Sequence, residues 1–545
     1  MKRITNQIHK LNNLSKEEAI PLLFWKSYNL GRFEKVNNLE VLNMSKMIVR
    51  GLFVAIGVIL QLGFELSLFF WFNSWFTGAN VICYIAGVLI VLYMLKNSTR
   101  LNADMAWIIT ILLLPIFGTV LMITIKSNGY RNVLLNNIYR RESEYFARLK
   151  QDEEVTKEIE DKNLDQLRYI SKHAGFPVSK NNHLTYYPSG EEFYPELLKE
   201  LEKAEKFIFM EYFIIGKGVM WNGILDVLKR KAKEGVEIRL MYDDAGSMAL
   251  LPVDYSKELE EYGIKCVPFN KLSPFRGVFM NNRDHRKITV IDGKVGFTGG
   301  VNISDEYINV NSKLGYWKDN GIRIEGDAVF NLTVLFLSIF NANNQTYEDI
   351  MQYKADHPNS KKDQDGYVVT YGSAPLHKDI LAEDIYLNMI NAARDYIYID
   401  TPYLIIDTDM INSLVRAAKR GVDVRIVVPG IPDKKIVYTV TSSYFEVLMN
   451  AGVKIYKFTP GFVHAKVFVV DDVRATVGTV NMDYRSLYLH FENGIYMENN
   501  SEIPVIKKDL LETMDKCKLV TMDEATPSYL KGVWEAVLRL FAPMF

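Results

Sequence analysis

The chain has 545 residues, with 64 Lys and Arg against 65 Asp and Glu, giving a net charge of −1. That length accommodates about three or four domains, and the charge balance leaves no basic field of the kind a nucleic-acid partner requires. Cys83, Cys266 and Cys517 stand far apart, and CxxC and HExxH motifs are absent; neither a disulfide framework nor a zinc site is expected.

Residues 1–46 form a mixed polar N-terminal segment. Met1-Lys2-Arg3 is not followed by an apolar stretch and cleavage site, so no signal peptide is expected. A transmembrane region is predicted over 47–126, from apolar runs at 51–72, 75–95 and 106–125. Each is long enough for a hydrocarbon core of roughly 30 Å. Glu65 lies within the first run, which is therefore either spanning or re-entrant. Lys96, Arg100, Lys126 and Arg131 fall on both sides of the runs and leave the orientation open. Residues 127–176 turn charged and read as a helical linker, its charges on a solvated helix face or linker.

From Leu184 onward helical and strand patterns alternate, which predicts an α/β layer architecture. Phe207–Met210 and Val236–Met241 read as strands, and Pro195–Lys206 and Gly223–Lys233 as helices. The pattern then repeats. Ala232-Lys233-Glu234-Gly235-Val236 is matched by Ala418-Lys419-Arg420-Gly421-Val422, and Tyr262-Gly263-Ile264-Lys265 by Ala451-Gly452-Val453-Lys454. The clearest pair is His285-Arg286-Lys287 running to Asp292, Gly299 and Asn302, and His464-Ala465-Lys466 running to Asp471, Gly478 and Asn481. In both, Lys falls at His+2, Asp at His+7, Gly at His+14 and Asn at His+17. Asp319-Asn320-Gly321-Ile322 pairs with Glu492-Asn493-Gly494-Ile495. A period this long indicates two similar domains rather than a solenoid. Their expected limits are 177–362 and 363–525, and a C-terminal amphipathic helix is expected over 526–545.

If the two repeats face each other about a pseudo-twofold axis, His285 and His464 flank one phosphate. Lys287 and Lys466 then contribute charge, and Asn302 and Asn481 donate hydrogen bonds, as an electrostatic clamp. One neutral imidazole attacks phosphorus while the other, protonated, serves the departing oxygen. Asp319 and Glu492 are expected to orient the imidazoles. Asp292 and Asp471 are counted with the catalytic residues; the alternative is a strand-end acid bonding turn amides. His9, His173, His183, His357 and His377 have no partner spacing; His490, two residues before Glu492, could line the site but is left outside the set. Val533-Trp534, Val537-Leu538 and Phe541 form the apolar stripe of the last helix, with Lys531, Glu535 and Arg539 off it.

The duplicated H-x-K-x4-D-x6-G-x2-N motif resembles that of the phospholipase D superfamily. Ala106-Trp107-Ile108, Pro115-Ile116-Phe117-Gly118, Tyr316-Trp317-Lys318-Asp319, Thr401-Pro402-Tyr403 and Gly478 to Ser486 make the chain similar to bacterial cardiolipin synthases from about residue 50 onward. The resemblance implies two phospholipase D-type α/β/α domains preceded by transmembrane helices. It implies a multi-pass cell-membrane enzyme that needs no metal or other cofactor. The reaction it implies is phosphatidyl transfer between two phosphatidylglycerol molecules, giving cardiolipin and glycerol through a phosphohistidine, with His285 as nucleophile and His464 as acid. Hydrolysis by the same chemistry, with water as acceptor, is the alternative. Membrane lipids are the expected partners, nucleic acid is not, and protein partners are left open.

Overall fold

The computed structural model describes Gly63 and residues 73–97, 101–126, 129–271, 282–356, 365–375, 377 and 379–544. The polar segment 1–46 and, Gly63 apart, the first apolar run lie outside the described residues. The chain divides into two compact units: residues 1–89 with 111–120, and residues 90–110 with 121–545. Both repeats belong to the second.

The second apolar run is a 25-residue helix, Asn73–Asn97, whose side chains are described from Val81 on. The third is broken into Leu101–Leu113 and Pro115–Lys126. Pro115 disfavours the helical conformation at the residue before it, so the break falls at Leu114. At 13 and 12 residues these helices measure about 20 and 18 Å. Among the described residues no helix is long and apolar enough to cross a membrane.

Eight strands come from the first repeat: β1 (Asn182–Tyr187), β2 (Phe207–Tyr212), β3 (Glu237–Asp243), β4 (Lys265–Phe269), β5 (Lys287–Ile291), β6 (Val295–Gly299), β7 (Tyr316–Lys318) and β8 (Gly321–Gly326). All but β7 join one sheet in the order β1-β8-β6-β5-β2-β3-β4. The second repeat gives β9 (Tyr367–Ser373), β10 (Tyr396–Asp400), β11 (Leu404–Ile405), β12 (Asp423–Pro429), β13 (Lys454–Phe458), β14 (Gly461–Val463) and β15 (Val467–Val470). It continues with β16 (Arg474–Gly478), β17 (Met482–Asp483), β18 (Glu492–Glu498) and β19 (Cys517–Leu519). Its main sheet runs β19-β13-β12-β10-β15-β16-β18-β9, which is the first order read from the other edge, with β19 added. In each sheet three strands are parallel and the rest antiparallel. The central strands β2, β5 and β15 are buried throughout, as strands covered on both faces must be.

The helix Val329–Asn344 is buried on every side from 329 to 342, consistent with apolar residues around its whole circumference. It packs on the helix Gly129–Phe146, on β2, β4 and β5 of the first sheet, and on β9 of the second. The charged stretch 127–176 is helical, as expected, and packs its apolar residues inward. Its helices Gly129–Phe146, Glu153–Asp161 and Asp165–Lys172 carry Leu134, Ile138, Tyr145, Ile159, Leu167 and Ile170 into the core that the second sheet shares. Their charges lie mostly on the opposite face. The last helix, Tyr529–Leu540, turns Leu538 inward and leaves Tyr529, Leu530, Val533, Trp534 and Val537 exposed.

Asp292 and Asp471 lie at the far ends of their strands from the motif histidines and lysines. Each directly follows its strand and opens the turn, about 17 Å from the motif lysine's end at some 3.3 Å per residue. Asp292 accepts the backbone N–H groups of Glu205, Lys206 and Phe207 at 2.7–2.8 Å. Asp471 does the same for Arg394, Asp395 and Tyr396 at 2.8–2.9 Å. Both adopt φ 54°, a left-handed conformation that aspartate tolerates better than most residues. Their carboxylates tie the motif hairpin to the start of the neighbouring strand. Asp292→Ala and Asp471→Ala are each expected to cost about 2 kcal/mol in urea unfolding, because amides at a strand entry lose their acceptor. The turnover of the folded fraction should stay within about threefold of wild type; a far larger loss would return these acids to the chemistry.

Candidate active site

His285 lies just before β5, and its backbone N–H donates to the carbonyl of Phe491 at 2.9 Å. Its Nδ1 is 2.9 Å from both carboxylate oxygens of Glu492. His464 lies just before β15, with its backbone N–H on the carbonyl of Lys318 at 2.7 Å and its Nδ1 2.7 Å from Asp319 Oδ2. Phe491 precedes Glu492 and Lys318 precedes Asp319. Each imidazole is thus fixed twice, by backbone and by carboxylate, to the acid segment of the other repeat. Two short pairings hold the exchange: β14 lies parallel to β7, and Asp284 bridges to Phe491. The acids follow their own motifs in sequence but serve the opposite histidine in space.

An ionised carboxylate only accepts, so it fixes Nδ1–H on each ring and leaves Nε2 with its lone pair. Burial alone pushes Glu492 up, but the His285 imidazole and its hydrogen bond hold the carboxyl well below the usual range. Asp319 is lowered too, by His464 and Lys466 against the effect of burial. Burial pushes the histidines down, His285 to about 3 and His464 to about 4, with the neighbouring lysine charges adding and the carboxylates opposing. The lysines follow. Lys287 falls to about 8 and Lys466 to about 7, burial being the largest cause in both. Each lysine curls back so that Nζ donates to the carbonyl of its own motif histidine, at 2.6 Å for Lys287. The cations therefore sit beside the imidazoles.

The glycine turn differs between the repeats for a steric reason. A Cβ on Gly300 would lie 2.0 Å from Asp319 Oδ1, so the first repeat needs glycine there. The second has Thr479, whose hydroxyl donates to Glu492 Oε2. Asn302 is engaged at both ends, accepting the Ile214 N–H at 3.0 Å and donating to the Tyr307 hydroxyl at 2.8 Å. Asn481 is buried with Oδ1 unpaired. Of the predicted clamp, the two lysines lie against the histidines, whereas Asn302 chiefly braces the loop around them.

Several residues that sequence reasoning left out line the site. Tyr307, Trp317 and Phe462 ring His464 at centroid distances of 5.3, 5.4 and 6.0 Å. Phe213 and His490 flank His285 at 5.0 and 5.5 Å. Trp317 and His490 each stand two residues before a paired acid, and that shared offset was the available signal. Behind the site Arg286 is fully buried, with Nη1 on the Leu335 carbonyl at 3.0 Å and Nη2 3.3 Å from Glu142 of the helix Gly129–Phe146. Donor atoms of His285, His490 and Glu492 lie within 4.8 Å of one another. Within this trio His285 Nδ1 and Glu492 are hydrogen-bonded to each other, and His490 Nδ1 stands 3.6 Å from Glu492 Oε1.

The topology, the paired motifs and the crossed acids define a two-domain phospholipase D-like fold. A solved phosphatidylserine synthase of Haemophilus influenzae Rd KW20 shares that fold, with a TM-score of 0.52 at 15% identity over 66% of this chain and 95% of that one. The family model described as "Cardiolipin synthase, PLD-like domain" matches residues 197–324 and 386–515. An uncharacterized protein of Streptococcus mutans is 43% identical over 461 residues, 83% of this chain and 99% of its own. A cardiolipin synthase of Halalkalibacterium halodurans is 31% identical over 506 residues, 89% of this chain and 98% of its own. A probable cardiolipin synthase of Bacillus subtilis is 31% identical over 86% of this chain and 93% of its own. The chain belongs to the cardiolipin synthase family.

The crossed pairing makes a specific demand. Glu492→Gln should be as damaging as Asp319→Asn, each lowering kcat by about 10²–10⁴-fold, the range for losing the group that sets a catalytic imidazole's tautomer. Retention of near-normal kcat by either folded variant would remove the orienting role.

Proposed function

We propose that this chain is a membrane-attached phosphatidyltransferase that converts two phosphatidylglycerol molecules to cardiolipin and glycerol. The observation that carries the reading is one buried site built from two imidazoles, each held by the opposite repeat's acid. His285 Nε2 attacks phosphorus; the bond from phosphorus to the headgroup glycerol oxygen breaks, and His464 gives its proton to that oxygen. The headgroup hydroxyl of a second phosphatidylglycerol then attacks the phosphohistidine. His464 takes the hydroxyl proton, the phosphorus–nitrogen bond breaks, and both imidazoles return to their starting state. Lys287 and Lys466 stabilise the charge spread over the phosphoryl oxygens. Burial by itself favours neutral imidazoles; the incoming phosphodiester anion brings the negative charge that raises the proton affinity of the acid.

Lipid substrates fit the rest of the chain. The outward row Leu530, Val533, Trp534 and Val537 suits a helix lying in a bilayer interface. The helix Asn73–Asn97, with Lys96 as its single charged residue, together with the apolar runs beside it, supplies the anchor; we read the protein as multi-pass. The expected outcome with carbonate-washed membranes and headgroup-labelled phosphatidylglycerol is cardiolipin plus free glycerol, with the protein retained in the pellet. Phosphatidic acid as the only lipid product would make the enzyme a hydrolase, and release by carbonate would remove the anchor.

The lysines give a separate pH dependence. Each is pulled below its ordinary value, to about 8 and about 7, so its cation is lost as pH rises through that value. KM for the anionic lipid should therefore rise several-fold from pH 7 to 9, measured in mixed micelles of constant composition. A flat KM over that interval would mean that neither ammonium contributes to binding.

A further inference from the structure

The two halves of the site differ at one pair of equivalent positions. Trp317 precedes Asp319 by two residues and packs on His464 at 5.4 Å with 41° between the rings. His490 precedes Glu492 by two and packs on His285 at 5.5 Å and 42°. The same geometry carries an indole on one side and a titratable imidazole on the other. The His490 side chain is nine-tenths buried, and neither ring nitrogen has a hydrogen-bond partner. Its Nδ1 is 3.6 Å from Glu492 Oε1, just beyond bonding distance, so a small ring rotation completes the contact. A buried polar group left unpaired in a family enzyme's active site calls for a role.

We infer that His490 is a positioning residue for His285: a third imidazole sharing Glu492, which keeps His285 as the neutral nucleophile and leaves the acid role to His464. The inference rests on the phosphohistidine reading above. Glu492 faces two imidazoles and the Thr479 hydroxyl, whereas Asp319 faces one imidazole and the Asn320 N–H. By drawing on Glu492 Oε1, the His490 ring leaves less of that carboxylate's charge to favour a second proton on His285. The indole of Trp317 has no such effect on His464. A proton entering the site is therefore directed to His464, where the leaving oxygen needs it. The other charged groups acting here are Lys287, which also opposes protonation of His285, and Asp483, the buried acid capping the helix Tyr484–Tyr488, on which His490 acts.

The test uses the full-length protein with phosphatidylglycerol labelled in its phosphatidyl group. Alkaline quenching and peptide mapping should place the label of the wild-type phosphoenzyme on His285. His490→Phe keeps the ring without a proton, and His490→Asn keeps a polar group without a charge. In both, the acid limb of the kcat–pH profile should move up by about one pH unit, with KM within about threefold, because His285 then protonates more easily. An unmoved acid limb in either variant that melts like wild type overturns the inference, as does label on His464. Failure of the wild type to form any phosphoenzyme would instead overturn the reading on which it rests.

Discussion

The bond from each motif histidine to a carboxylate of the opposite repeat is the interaction on which the site depends. A histidine ring on a strand end is free to turn and to exchange tautomers. Here both freedoms are removed by a backbone bond at the histidine's own N–H and a carboxylate at Nδ1. The same contacts that orient the rings also join the domains. A shift between the two sheets would break tautomer control on both sides at once, so domain packing and catalytic geometry are one constraint.

Burial sets the electrostatic character of the site. Two lysines, two carboxylates and two imidazoles are packed where water is scarce, and the lysine and histidine values fall together. Each carboxylate offsets a lysine, so the site tolerates its own charges. An arriving phosphodiester adds one negative charge to an environment holding two depressed ammonium groups, and both bind their protons more tightly in response. The site is poised to be charged by its substrate.

Much of this was legible in the chain. The duplicated offsets from His285 and His464 to their lysines and asparagines gave the repeat, and the repeat gave the shared sheet order. What stayed hidden has physical causes. Asp292 and Asp471 keep the motif spacing because a hairpin needs its turn acid as strictly as a site needs its base, and spacing alone does not separate those demands. The crossing of Asp319 and Glu492 joins residues 145 and 207 positions apart, a fact of domain docking that local pattern does not encode. Charge in 127–176 suggested solvent because the buried residues there are sparse, one or two per turn. Pro115 marked the helix break, yet its apolar neighbours outweighed it in a reading by composition.

Arg286 has a consequence for where this enzyme begins. Its side chain points away from the pocket between His285 and Lys287, and it is wholly buried against Glu142 and the Leu335 carbonyl. Glu142 comes from the stretch between the apolar runs and the first repeat. A fragment trimmed to the two repeats alone would take away the nearer of the two carboxylates facing that guanidinium, Glu142 at 3.3 Å, and leave Glu211 of β2 at 4.0 Å. The segment leading to the N-terminal helices therefore forms part of the foundation under the catalytic strand.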